Sequence, residues 1–218
     1  MATAADPAKA DGPARTSVWR TVHPGVSRRR SGREPALCRG SITAAAVRLL
    51  DSDGLSRFSM RRLAGELGVT AMSLYWYVDT KHDLLELALD AAIGELPPSS
   101  KEFTTEGRRE WSNALRALAL GYRRLLVRHP WLAVLAREYP NIGPHATAFD
   151  QSLCRLLAAT GLAPEGRAGA RLAVTQFLQG CAHPCGAREG APEAEFAFAV
   201  DVLVAGIEAK RPRPGPAT

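Results

Sequence analysis

The sequence predicts an all-α protein: two helical domains following a polar N-terminal tail. Three observations lead there. From Ser41 onward apolar residues recur at the i, i+3, i+4, i+7 spacing of amphipathic helices, and strand-like alternation is sustained nowhere. Ser and Thr residues stand where helices would start, with glycines where they would stop. Pro130, Pro144, Pro164 and Pro192 fall where a first helical turn tolerates a missing N–H.

Residues 1–38 hold Pro, Gly, Ser and Arg with one aromatic, Trp19, and no periodicity. Such a segment buries too little apolar surface to offset its ordering entropy, so a disordered basic tail is expected. Ser41 is the expected N-cap of a first helix over 42–53, with Ile42, Ala46, Leu49 and Leu50 inward and Gly54 as its stop. Ser59 would cap a short second helix, "MRRLAGEL", which Gly68 ends. Thr70 would cap a third, "AMSLYWY". Thr80, with Asp83 three residues on, has the pattern of a capping box and opens a fourth helix with Leu84, Leu87, Ala88 and Ala91 on one face. Beyond Pro97-Pro98 five more helical stretches follow, near 107–129, 131–138, 144–160, 164–183 and 191–210. The last, "FAFAVDVLVAGIEA", is apolar on most sides and must be covered on most sides. Either a second copy of the chain or the chain's own core can do that.

Charge is unevenly spread. The formal net charge is +6; residues 1–39 contribute +5, residues 40–94 contribute −2, and the remainder +3. A polyanionic partner is compatible with this balance. No apolar run is long enough for a membrane span, and the N-terminus lacks the apolar core of a secretory signal. Four scattered cysteines suit a reducing cytoplasm better than a disulfide framework. The motifs G-x-S-x-G, P-loop, H-E-x-x-H and G-x-G-x-x-G are all missing, so an enzyme is not expected. "CAHPC", Cys181 to Cys185 with His183, falls short of the four ligands of a structural zinc site, and no metal or cofactor is expected.

Two short helices around a tight glycine turn, flanked by supporting helices, describe a helix-turn-helix. Leu74 and Val78 share its inward face with Val69, which places Tyr75 and Tyr77 outward; Trp76 is expected to be partly buried against the fourth helix. Tyrosines beside Lys81 offer donors to phosphate oxygens. The same rings could instead wedge into the core of a compact hairpin.

The segments "MRRLAGELGV", "SLYWYV", Lys81 and "DLL" resemble the DNA-binding domain of the TetR family of bacterial transcriptional repressors. "WSNALRALALGYRRLL" and the closing helix resemble, more loosely, its tetracycline-repressor-like regulatory domain. The resemblance implies a DNA-binding domain over 39–95 and a regulatory and dimerisation domain over 96–212. It implies a ligand-responsive regulator, normally a repressor, that binds a palindromic double-stranded operator as a homodimer joined by C-terminal helices. A transcriptional activator, or an interaction module of the same fold, is the alternative. By the same resemblance Arg61 reaches a guanine edge or a phosphate, and Ala71, Met72 and Ser73 face base edges. Tyr75, Tyr77 and Lys81 hold the phosphate backbone, and the helix starts at Ser59 and Thr70 favour phosphate. Ala71 replaces the glutamine with which tetracycline repressors read an adenine, so a different operator is expected.

Family members take up small, mostly apolar effectors among the C-terminal helices. Trp111, Tyr122, Trp131, Phe149, Gln176 and Phe177 are the candidate pocket groups, with ordinary core packing the default alternative for each. The tetracycline-contacting histidine and asparagine align with Pro97 and Leu118, and the magnesium-binding histidine with Ala136. Tetracycline with magnesium is therefore not the expected effector. The tail's "SRRRSGR", Ser27 to Arg33, either adds phosphate contacts or remains a solvated segment.

Overall fold

The computed structural model describes residues 17–20, 37–96, 110–181 and 193–212, and among these every regular element is helical. In chain order the helices are α1 (Arg39–Asp53), α2 (Met60–Glu66), α3 (Ala71–Leu74), α4 (Lys81–Ile93), α5 (Glu110–Arg128), α6 (Leu132–Glu138), α7 (Pro144–Ala158), α8 (Pro164–Gly180) and α9 (Glu193–Ala209). A 3-10 turn, Leu55–Arg57, joins α1 to α2. Helix α4 packs against α1 on one side and against α6 and α7 on the other, so the N-terminal helices and the C-terminal bundle share one core.

α1 begins three residues earlier than expected. Cys38 is the N-cap: its Sγ accepts from the Ser41 amide at 3.3 Å, while the Ser41 hydroxyl accepts from the Cys38 amide at 2.9 Å. Ser41 thus completes a capping box from the third position instead of starting the helix. At the other end Gly54 turns with φ +75°, a left-handed conformation that side chains disfavour, and its N–H reaches Leu50 O at 2.9 Å.

α2 and α3 start at the predicted caps, with the Ser59 hydroxyl accepting from the Arg62 amide and the Thr70 hydroxyl from the Ser73 amide. Gly68, φ +65°, makes the turn between them. α3 is shorter than expected. After Leu74 the ladder tightens to i→i+3 bonds, from Tyr75 N to Met72 O at 3.2 Å and from Tyr77 N to Leu74 O at 2.9 Å. Three consecutive aromatics have little helix propensity with which to extend it.

α4 carries the predicted capping box: Asp83 N donates to the Thr80 hydroxyl and Thr80 N to the Asp83 carboxylate, both at 3.0 Å. Its burial exceeds the single expected face, since every residue from Leu84 to Asp90 is buried. Two of these are carboxylates, Glu86 and Asp90, each 4% exposed and one helical turn apart. Asp90 accepts from the Ala146 amide at 2.9 Å and the His145 amide at 3.3 Å. It therefore caps α7, whose own N-cap is Gly143 and has no side chain for the task. A Cβ on Gly143 would fall 2.2 Å from Asp90 Oδ1, so only glycine permits this approach.

Glu86 accepts from the Ser17 hydroxyl and, at 2.9 Å, from the Val18 amide. Residues 17–20, inside the stretch expected to be a disordered tail, instead form a turn whose Ser17 and Val18 are buried. The rest of that stretch up to residue 36, "SRRRSGR" included, lies outside the described residues. A second link between the N-terminal helices and the bundle is Asp51 of α1. Its Oδ1 accepts from Trp131 Nε1 at 2.6 Å and lies 2.7 Å from His129 Nδ1.

The five later helices match the expected stretches within a few residues, and α7 and α8 do begin on Pro144 and Pro164. α9 buries one stripe, Phe196, Val200, Val204 and Ile207, against the bundle, and leaves Phe198 and Val202 exposed. No helix of the described residues is long and apolar enough to cross a membrane.

Gly143→Ala is expected to destabilise the fold by about 1–3 kcal/mol, the range for inserting a methyl group into a packed site. A urea titration monitored by circular dichroism reads this as a lowered midpoint, with Gly166→Ala, whose added Cβ meets nothing closer than 3.5 Å, as the tolerated comparison.

Candidate nucleic-acid interface and regulatory core

Burial of Leu74 and Val78 decides which way the α3 segment faces. With those two inward, Met72 is 70% exposed, Tyr75 44%, Trp76 77% and Tyr77 38%, while Ala71 and Ser73 are half-buried. The two tyrosines stand outward as expected. Trp76 does not pack on α4 as expected but is the most exposed of the four. The signal was in the spacing, because a residue two positions after a buried Leu points about 200° away from it.

Three of the four cations near this face are committed to structure. Arg62 pairs with Asp53, and Arg57 Nε donates to the Asp53 carbonyl at 3.0 Å. Lys81 Nζ donates to the Phe58 carbonyl at 2.9 Å and stands 5.6 Å from the Phe58 ring centroid. It ties the start of α4 to the residue before the α2 cap, and the ammonium's remaining hydrogens are what it can offer a phosphate. Arg61, exposed on the first turn of α2, has no hydrogen bond or ion pair among the described residues. The helix starts are less open than expected. The Ser59 and Thr70 oxygens each already serve an amide, and the Ser73 hydroxyl lies 2.8 Å from Thr70 Oγ1. With seven and four residues, α2 and α3 also have small dipoles.

The six candidate pocket residues separate into distinct places. Trp131 belongs to the junction with Asp51. Trp111 is buried near the other end of α5, where the Arg211 guanidinium lies 5.7 Å from its ring and Arg211 Nε donates to the Thr160 carbonyl at 2.6 Å. Gln176 is exposed. Tyr122 and Phe149 do meet, with centroids 5.7 Å apart, and Phe177 meets Phe196 at 5.4 Å, with the Arg123 guanidinium 5.1 Å from the Phe196 ring. Burial, with a smaller contribution from the neighbouring Cys181, pushes the Tyr122 phenol up to about 12. Burial likewise raises the Cys181 thiol, opposed by the charge of Arg123. These contacts put one buried phenol and a nearby cation among packed aromatic rings. Neither Phe196 nor Arg123 was among the expected pocket residues; both come to the site from positions that spacing alone leaves unplaced. His183 and Cys185 lie outside the described residues, and within those no three His, Cys, Asp or Glu side chains come together as a metal site would require.

Residues 42–88 match the family model described as "Bacterial regulatory proteins, tetR family". The chain belongs to the TetR family. Residues 103–192 match the model for the "Tetracyclin repressor-like, C-terminal domain". Among curated relatives, an HTH-type transcriptional regulator of Saccharopolyspora erythraea is 40% identical over 152 residues, covering 70% of this chain and 62% of its own. This TetR-family chain thus matches somewhat less than two thirds of that relative's length. Among solved structures, BioQ bound to its double-stranded DNA operator superposes with a TM-score of 0.65 at 25% identity, over 79% of this chain and 99% of that one. A TetR variant from Acinetobacter baumannii in complex with minocycline superposes with a TM-score of 0.64 at 27% identity, over 81% and 99%.

The raised Tyr122 phenol makes stability depend on pH at the alkaline end. The folded pKa, about 12, exceeds the ordinary 10.0. Between those values the unfolded chain has released a proton that the folded chain retains, so stability is intact below pH 10 and falls as pH rises toward 12. Removing this phenol with Tyr122→Phe is expected to flatten that decline by about 2 kcal/mol, as read by denaturant melts at pH 9 to 11.5.

Proposed function

We propose that this protein is a ligand-responsive transcriptional repressor that binds a palindromic double-stranded operator as a homodimer and is released by a small molecule. It would work in the cytoplasm, where the DNA is, and without catalysing a reaction. The observation that carries the reading is the face of α3. Large side chains stand exposed there beside Arg61, which has no ion pair among the described residues, in the part of the chain that matches the family's DNA-binding model.

In this reading the DNA-binding domain covers 39–95 and the regulatory domain 96–212, with α4 as the element common to both. Arg61 supplies a bidentate contact to a guanine edge or a phosphate. Ala71, Met72 and Ser73 approach base edges, and the Met72 side chain suits a thymine methyl. The Tyr75 and Tyr77 hydroxyls and Lys81 take phosphates, and Ser59 and Thr70 fix the turns that present them. Trp76 adds a broad apolar face beside the tyrosines. The BioQ–operator complex supports DNA binding by a protein of this fold.

The dimer is supported by α9, whose outer residues Phe198 and Val202 stay uncovered within one chain, as does Leu172 of α8. A twofold pairing through these helices would set two α3 segments toward successive major grooves, roughly 34 Å apart. The effector would lie among Tyr122, Phe149 and Phe177. The minocycline complex supports a small molecule bound in a protein of this fold. Trp111, Trp131 and Gln176 are better assigned to packing, the domain junction and the surface.

The test is selection of sheared genomic DNA from the source organism on the purified protein, followed by sequencing. A recurrent short palindrome is expected, and uniform recovery at physiological salt would reject the reading. Arg61→Ala should weaken binding to the recovered site about 10-fold or more, following the cost of a lost bidentate contact. Arg62→Ala, already paired with Asp53, should weaken it less. Phe198→Glu with Val202→Glu is expected to yield monomers by sedimentation.

A further inference from the structure

We infer that residues 17–20 are an intramolecular wedge that fixes how α4 meets α7, so that a segment outside both matched domains belongs to the joint between them. The argument starts from Glu86 and Asp90. Like charges at i, i+4 on a helix repel, and burial at 4% exposure removes the water that would screen them. Each carboxylate must therefore be met by donors, and the donors come from different parts of the chain. Asp90 is met by the first amides of α7. Glu86 is met by the Ser17 hydroxyl and the Val18 amide.

The turn that supplies these donors is itself held in shape. Trp19 N donates to Ser17 Oγ at 3.2 Å and Arg20 N to Ser17 O at 2.9 Å. Val18 is buried in the common core, and Trp19 packs against it. Trp19 also lines a small cleft together with Glu86 and Asp90 of α4 and Asn141, Ile142 and Gly143, the residues that lead into α7. The segment therefore stands at the joint: it hydrogen-bonds the Glu86 carboxylate of α4, and its indole borders the same cleft as the residues leading into α7. Nothing in the regulator reading requires it, since the matched regions start at residue 42.

Amide hydrogen exchange on the full chain without DNA tests the wedge independently of any DNA-binding activity. In the Ser17→Ala, Trp19→Ala double variant, exchange along α4 and in the first turn of α7 is expected to accelerate about 10-fold or more relative to α9, as lost bonds to a buried charge imply. Arg20→Ala, at an exposed position, should leave it unchanged. Adding Glu86→Gln to the double variant should restore part of the protection, because it removes one of the two facing charges. Unchanged exchange in α4 and α7, or an acceleration that includes α9 equally, would overturn the wedge. Failure to select any operator would instead count against the regulator reading and leave this result standing.

Discussion

The structure depends on a constraint within α4: a helix buried on nearly all sides that nonetheless carries two carboxylates into the core. Burying an anion without partners costs several kcal/mol, more than any single apolar contact returns. Each carboxylate therefore dictates what may pack beside it. Asp90 requires helix amides, and α7 delivers its first turn there. That requires Gly143, since any Cβ would strike the carboxylate. Asp51 of α1, although exposed, also reaches across to the bundle, facing the His129 ring and the Trp131 indole at the α5–α6 corner. Glu95, just past α4, faces Arg128 and His129. Burial pushes its pKa up, but the hydrogen bonds and charges of those two outweigh it and leave the net shift downward. Carboxylates thus specify the relative placement of two helical units that apolar contacts alone would hold less selectively.

The same use of charge explains how a segment of net −2 can present a face fit for a polyanion. Asp51, Glu86 and Asp90 are turned toward the bundle, and Asp53 is matched by Arg62. The cost falls on the cations. Arg57, Arg62 and Lys81 stabilise the turns around α2, whereas Arg61 on the first turn of α2 has no such bond among the described residues. What the face offers besides is aromatic: Tyr75, Trp76 and Tyr77, pushed outward because the chain after Leu74 winds into tight turns with Leu74 and Val78 buried.

Most of this was legible wherever the cause is local. Thr80 with Asp83, Ser59, Thr70, Gly54 and Gly68 act within a few residues of themselves, and each acts as its position in the sequence suggests. Cys38 was missed as a cap because a thiol is an unusual acceptor, and Ser41 nearby is the more familiar signal. Trp76 stands exposed instead of packing on α4, because the chain past Leu74 leaves the α-helical path on which that packing depends. The pairings of Glu86 with Ser17, of Asp90 with α7 and of Asp51 with Trp131 span 55 to 80 residues, and no periodicity predicts which distant donor will meet an acid. The candidate pocket scattered for the same reason. Aromatic type marks a residue as buried, while which aromatics share a neighbourhood depends on how α5, α7, α8 and α9 cross.

These contacts also define how a change in the bundle could reach the α2–α3 face. At its C-terminal half α4 is bound to the start of α7 through Asp90, and α7 carries Phe149 against Tyr122. At its N-terminus Lys81 holds the Phe58 carbonyl, immediately before the cap of α2. The amide bonds to the buried Asp90 carboxylate are costly to lose, because losing them leaves an unmet charge in the core. If the effector proposed above separates Tyr122 from Phe149, two courses follow. Either α7 moves with α4 and the α2 cap follows, or Asp90 gives up its amides. The first preserves every charged contact. On the proposed reading, displacement of α4 together with the elements pinned to both its ends keeps these contacts, and the turn at residues 17–20 would move with it.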